Sequence, residues 1–495
     1  MAQREEDRQK KIAEEPGMGT GVIPAKGRIL SWVAVALVLA ALGAYVLAGV
    51  ATVPFHPDET TWLYMSSDLG VLLQGRVANL CYQPGKTPDG KVLERLRTAG
   101  LPRYVIGVAD FLLGVPGSAV RADWNWSLSW EGNAEAGAVP GSTALFAGRL
   151  AMALAVVLAL VLVFGMGTQL GGRSAGLLAA VAFGSNALVL LHGRRAMSEG
   201  LLLLTTSLAA WAAMKWSSRP AAQGGALGLA AAAKHTGFAI LPVSLASLLW
   251  GAESQARSGP RGPSAPAPRQ PGARWPRSAV GAGVILVTSI AVFGLFNPVG
   301  WCHPVSAVSA AFAERGRLLT AQTQMLSQAI PDEVVLTPRA RLVALVNQTF
   351  FAPPAFWDIP NYAAQTAGQE QAYLAAIWGG LPRTVGLGTA ALFLVLLGLA
   401  YSLRTVGIPW RRRGPAAREG EGTRRAMVLL IVWTGSTALA ILVALPIQWQ
   451  RYYVPLLPEI SLLEALGLVA LGKFAAALCN RRVQEGGPCA GSGRG

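Results

Sequence analysis

Residues 224–250 read GGALGLAAAAKHTGFAILPVSLASLLW, an apolar run of 27 residues broken once, at Lys234-His235-Thr236-Gly237. A helix crosses a bilayer core with about 20 apolar residues, so the run is long for one crossing and short for two. The choice sets the side on which every later loop lies. Eight further apolar runs occur, at Ile29–Val53, Ala144–Met166, Ser174–Leu191, Gly200–Met214, Ala279–Phe296, Thr384–Leu403, Ala426–Leu445 and Tyr452–Leu471. Three basic connections lie between or after them. Arg257, Arg261, Arg269, Arg274 and Arg277 mark a Pro-rich linker; Arg404, Arg411, Arg412, Arg413, Arg418, Arg424 and Arg425 mark a second; Lys473, Arg481 and Arg482 follow the last run. Basic loops stay cytoplasmic. With the N-terminus inside, all three are inside only if residues 224–250 cross twice or re-enter, which puts Lys234 near the outer surface between two short or tilted helices. The expected fold is therefore an all-α polytopic membrane protein of about ten spans with both termini cytoplasmic.

Composition agrees. The chain is 52% hydrophobic and only 14% charged, against about 25% charged in soluble domains. Its net charge of +16 sits between apolar runs without interleaved aromatics, which fits the positive-inside rule and argues against nucleic acid as a partner. The domain plan is a cytoplasmic tail (1–28), a transmembrane domain (29–472) and a second cytoplasmic tail (473–495). Within the domain lie long outer loops at 54–143 and 297–383 and a cytoplasmic linker at 251–278. Loops of this length are usually functional, and 305–328 has the pattern of an amphipathic helix. Cys81, Cys302, Cys479 and Cys489 form no C-x-x-C pair. Cys81 and Cys302 fall on the same side, which leaves a bridge between them open.

The first outer loop begins Pro54-Phe55-His56-Pro57-Asp58-Glu59-Thr60-Thr61-Trp62-Leu63-Tyr64. Prolines stop the preceding helix, Trp62 and Tyr64 suit the headgroup level, and two carboxylates at a span mouth are costly to desolvate. The same topology brings other polar groups to this face: Arg149; His192, Arg194, Arg195 and Glu199; Lys234 and His235; Asn297 and His303; Gln448, Gln450, Arg451, Tyr452 and Tyr453. Cations beside carboxylates fit a phosphate-bearing substrate and a group that needs a base. Arg194, Arg195 and Arg451 also suit snorkelling to headgroups, and the histidines suit structural roles better than metal ligation. Lys234 interrupts an apolar run and is hardest to explain without function. Gly467 to Lys473 mimics a phosphate-binding loop, but Phe474 replaces the required hydroxyl residue.

In order along the chain, Pro57-Asp58-Glu59 with Tyr64, Gly148-Arg149-Leu150, Arg195-Ala196-Met197-Ser198-Glu199, Gly228…Lys234-His235-Thr236-Gly237, Asn297-Pro298 and Gln450-Arg451-Tyr452-Tyr453-Val454-Pro455 resemble the GT-C superfamily of membrane glycosyltransferases. The likeness is greatest to the branch of protein O-mannosyltransferases and lipid A aminoarabinose transferases. The resemblance implies a polyprenyl-phosphate-linked sugar as donor and a protein, lipid or glycan acceptor, in a bacterial-type cell membrane. It points to Asp58 as general base, supported by Glu59 and Glu199, and to Arg451, Lys234, Arg195 and Arg149 as donor-phosphate ligands. Tyr64, His235, Asn297 and Tyr452 would line the substrate site. Some relatives bind a divalent metal; here His303 and Glu59 are the candidates and no cofactor is established. The first loop departs from the family in reading Gly100-Leu101-Pro102-Arg103-Tyr104 where a Pro-Pro stretch is usual. A lipid-linked sugar transporter or flippase, or a non-catalytic scaffold, are the rivals. A transporter would place charges mid-span, where Glu464 is the main example.

Overall fold

The computed structural model describes residues 25–257, 274–407 and 416–484. The N-terminal tail, most of the Arg/Pro linker, Arg411–Arg413 and Cys489 lie outside the described residues. The segment up to Ala41 is one unit, and residues 42 onward form a second, compact one.

All regular structure among the described residues is helical apart from one isolated antiparallel bridge, Val334 with Ile447. The helices are α1 (Ala25–Ala48), α2 (Pro57–Ser66), α3 (Asp68–Leu73), α4 (Gly90–Arg97), α5 (Leu101–Leu112), α6 (Trp130–Ala136), α7 (Ser142–Gly171), α8 (Arg173–Gly184), α9 (Ala187–Arg194), α10 (Glu199–Lys215), α11 (Pro220–Ala233), α12 (Leu241–Arg257) and α13 (Arg274–Leu295). They continue with α14 (Pro304–Ala329), α15 (Pro338–Val346), α16 (Ala363–Ala375), α17 (Val385–Gly407), α18 (Ala416–Ala444) and α19 (Leu457–Gln484). Among the described residues, six stretches are long and apolar enough to cross a membrane: Trp32–Thr52, Ser142–Gly171, Ser278–Leu295, Val385–Gly407, Gly420–Ala444 and Gln450–Arg482. The bent pair α8–α9 passes the same test when its two helices are taken together, as a broken span or a re-entrant loop. The chain is thus a multi-pass, all-helical membrane protein. Helices α10, α11 and α12 have 17, 14 and 17 residues, and the expected count of ten rests on these shorter elements.

The run 174–191 is not one straight helix. It bends by 60° between α8 and α9, where the Asn186 side chain accepts from Leu188 N at 2.9 Å and starts a new helix. The backbone of the second long loop fills the break, Leu381 N donating to Ser185 O at 2.8 Å. The run 224–250 divides as its sequence predicts: α11 ends at Ala233, Lys234 is extended, a 3-10 turn covers His235–Ile240, and α12 follows. Helix α11 presents Gly224 and Gly228 to α13, where an added Cβ would come within 2.6 Å of the Ile285 and Ser289 carbonyl oxygens. Small residues four apart let two helix backbones touch, which compensates for weak hydrophobic drive in lipid.

The two long loops fold together. Cys81 and Cys302 are joined in a disulfide. Phe55, Trp124, Trp130, Trp357 and Tyr362 make an aromatic cluster with ring centroids 5.1 to 6.3 Å apart, uniting residues from both loops. Asp68 pairs with Arg95 at 2.7 Å and Arg103 at 3.2 Å, all three buried within the first loop. The amphipathic helix expected at 305–328 is present as α14.

Candidate active site

The site is built on the start of α2. Pro57 occupies the first helical position, and His56 caps the helix, its Nδ1 accepting from Asp58 N at 3.1 Å. Glu59 closes the box by accepting from His56 N at 3.0 Å. This cap sends the two neighbouring carboxylates in different directions. Glu59 is fully buried, whereas the Asp58 side chain is 25% exposed.

Glu59 ties three parts of the chain together. Its carboxylate accepts from Arg149 Nε and Nη2 of α7, both at 2.8 Å, and from Ala196 N, after α9, at 2.8 Å. Burial alone pushes its carboxyl up, but Arg149, with Arg195 adding, outweighs this and holds it below the ordinary range. Arg149 gives its remaining arm to Val53 O at 2.6 Å. Both residues, expected as an acid–base group and a phosphate ligand, are enclosed and mutually satisfied.

Asp58 faces Arg451, in the 3-10 turn Gln450–Tyr452, and the two form an ion pair. Arg451 Nη2 also lies 2.7 Å from Asp358 Oδ2, a residue of the second long loop that the sequence reading did not single out. The neighbouring Gln450 fixes that loop, accepting from Ala355 N at 2.7 Å and donating to Pro353 O at 2.9 Å. Arg195 is buried and donates to Phe356 O at 2.8 Å, a loop-holding contact. Asp358 also lies 3.5 Å from His56 Nε2. Burial raises the Asp358 carboxyl, but the Arg451 guanidinium and His56 more than reverse this and keep it well below the usual range.

Glu199, at the first position of α10, pairs with Lys234 Nζ at 2.6 Å; their side chains are 1% and 20% exposed. The Lys234 ammonium stands 5.6 Å from the Tyr452 ring centroid and the Arg451 guanidinium 5.7 Å from it. One aromatic ring therefore serves both cations. Arg315 of α14 faces the Tyr452 hydroxyl. Asp123, which accepts from Thr61 Oγ1 at 2.7 Å, feels the Asp58 charge; burial first, and that charge in addition, push its carboxyl up.

The structure thus brings Asp58, Glu199, Lys234, Arg451 and Tyr452 together. Asn297 is occupied elsewhere, accepting from Gly100 N at 3.0 Å and donating to Phe293 O at 2.6 Å. It pins the first loop to the end of α13, where Gly100 is needed because a Cβ would lie 1.7 Å from Phe296 O. Tyr64 carries the Lys91 ammonium over its ring at 4.1 Å, and His235 packs on Phe293. His303 is exposed at the start of α14, while both Glu59 oxygens are taken by N–H donors. These two residues do not fit a metal centre, and no group of three or more metal-binding side chains occurs among the described residues. Asp358 carried a faint signal in the sequence: it sits in Phe356-Trp357-Asp358-Ile359-Pro360, an acid set among aromatics and proline like Asp58.

No protein-family model and no curated protein sequence matches this chain. Among solved structures it is similar to ArnT from Cupriavidus metallidurans, determined bound to undecaprenyl phosphate, at 14% identity and a TM-score of 0.44, covering 93% of this chain and 64% of that one. It is also similar to the archaeal oligosaccharyltransferase AglB from Archaeoglobus fulgidus, in complex with an inhibitory peptide and a dolichol-phosphate, at 12% identity and a TM-score of 0.40. That match covers 92% of this chain and 52% of AglB. The chain thus spans between half and two thirds of the length of these proteins. At such identities and TM-scores the likeness carries no functional assignment.

Proposed function

We propose that this protein is an inverting glycosyltransferase that moves a sugar from a polyprenyl-phosphate carrier to an extracytoplasmic acceptor. The observation that carries the reading is the convergence of Arg451 and Lys234, from distant parts of the sequence, on one tyrosine ring beside the partly exposed carboxylate of Asp58. Asp58 takes the proton of the acceptor's nucleophile as that atom attacks the anomeric carbon. The bond from this carbon to the phosphate oxygen breaks, and its electron pair leaves with the phosphate. Arg451 and Lys234 stabilise the growing charge in a poorly hydrated setting. Glu199 holds Lys234, while Glu59 and Arg149 fix the helix that presents Asp58. One displacement inverts the anomeric centre.

The reading includes ten crossings: α1, α7, α8–α9, α10, α11, α12, α13, α17, α18 and α19. Helix α11 is about 21 Å long at 1.5 Å per residue and needs a locally thin or distorted bilayer. The Lys234–Glu199 contact supports two crossings between these residues, since both must reach the same face. The tails at 1–28 and 473–495 and the linker at 251–278 are then cytoplasmic, and the loops at 54–143 and 297–383 are extracytoplasmic.

A transfer assay with purified protein and polyprenyl-phosphate sugars tests the reading. Asp58→Asn, folded as judged by its melting temperature, should lose at least about a hundredfold in turnover, the usual size of a general-base contribution. Full turnover in that variant would remove the base from the mechanism.

A further inference from the structure

We propose that Asp358 is a displaceable counter-ion, which the donor phosphate must evict from Arg451 in order to bind. This rests on the reading of Arg451 as a phosphate ligand and adds the residue that sets donor affinity and selectivity.

Each carboxylate of the site has a cation beside it, and one cation is shared. Glu59 is paired with Arg149 and Glu199 with Lys234, while Arg451 holds two carboxylates, Asp58 and Asp358, on its two terminal nitrogens. Asp358 is ionised, held so by Arg451 in spite of its burial. On Arg451 both terminal nitrogens face a carboxylate and Nε alone has no partner; a phosphate that grips the guanidinium through two oxygens must therefore take a terminal nitrogen from a carboxylate, because an added anion beside two others is repelled.

The two carboxylates differ in how firmly they are held. Asp58 lies in the first turn of a helix capped by His56, and Glu59, which completes that capping box, is tied to α7 and to Ala196. Asp358 lies in an irregular stretch between the π turn Asn347–Phe351 and the 3-10 turn Pro360–Tyr362. The anchors of that stretch, at Pro353, Ala355, Phe356 and Trp357, all precede Asp358. A second partner also stands ready for the released carboxylate. His56 Nδ1 accepts from Asp58 N, which leaves the ring proton on Nε2, and Nε2 lies 3.5 Å from Asp358 Oδ2. Moving from Arg451 to His56, Asp358 keeps a hydrogen-bond donor and frees Arg451 Nη2. An anionic lipid can drive this exchange, whereas the matching neutral alcohol cannot, so Asp358 also discriminates against uncharged polyprenol.

Binding of a long-chain polyprenyl monophosphate to the full chain in nanodiscs tests the proposal, with polyprenol as control. Wild type should bind the phosphate, and Arg451→Gln should lose that binding. Asp358→Asn should bind about tenfold more tightly, and Asp358→Glu, which keeps the competing charge, should stay near wild type; a tenfold change corresponds to about 1.4 kcal/mol. Asp358→Ser replaces the Asn variant if the latter does not fold. Unchanged or weaker binding in a folded Asn or Ser variant, with Arg451→Gln still defective, overturns the counter-ion role while leaving the donor site intact. Absence of phosphate binding in wild type, or indifference to Arg451→Gln, overturns the donor site and this inference with it.

Discussion

Glu59 accepts four hydrogen bonds, from His56 N, Ala196 N and two arms of Arg149, with no exposure to solvent. Removing one partner of such a buried pair strands the other, at a cost of about 3–5 kcal/mol. Glu59→Gln should therefore lower the melting temperature strongly, and its activity loss should follow from misplacement of Asp58. The pH dependence has a definite sign. The folded-state carboxyl of Glu59 lies below its ordinary value, so its stabilisation is complete above the unfolded carboxylate range, about pH 4–5, and is lost as pH falls through the lower folded value. The melting gap between wild type and Glu59→Gln should be constant from pH 8 to pH 5 and close below about pH 4; a gap that closed already at pH 6 would contradict the pairing. At this scale the sequence showed that Asp58-Glu59 was unusual but not which of the two was buried. That depended on His56 acting as helix cap, and histidine is not among the residues usually expected there. Asp358 was harder still, because its partners are 302 and 93 positions away, at His56 and Arg451.

The helix pair α11 and α13 shows what local pattern can specify. Gly224 and Gly228 lie four apart on one face, and the α13 backbone comes close enough to both that a side chain would collide with Ile285 O or Ser289 O. Gly228→Leu should push the helices apart, cost about 1–3 kcal/mol by overpacking, and lower turnover by shifting Lys234 at the end of α11. A parallel fall in melting temperature and activity is expected; wild-type values in both would remove this contact from the account. The break at Lys234 was legible because a charge and a glycine interrupt an apolar run. The 60° bend at Ser185-Asn186 was not, because Asn186 sits among apolar residues and the backbone that meets the break, Leu381 N on Ser185 O, comes from a distant loop.

For the whole molecule, the disulfide between Cys81 and Cys302 closes a separation of 221 residues and clamps the first long loop to the start of the second. Disulfides persist in oxidising compartments, so the bridge fits the proposed extracytoplasmic placement of both long loops. Non-reducing peptide mapping of protein isolated from membranes should recover a Cys81–Cys302 cross-linked peptide, and recovery of both as free thiols would contradict an extracytoplasmic placement. The helical membrane character of the chain was plain from its apolar runs. The proximity of Asp58, Glu199, Lys234 and Arg451 was expected from counting crossings, while the merging of the two loops around an aromatic cluster was not, since it joins residues such as Phe55 and Tyr362 that no periodicity links. The most direct test of the central claim is the product of a single turnover on a polyprenyl-phosphate sugar of known anomeric configuration, read by NMR. The account predicts a product of opposite configuration, formed by wild type and lost with Asp58→Asn. Retained configuration, or the same product at full rate without the Asp58 carboxylate, would contradict it.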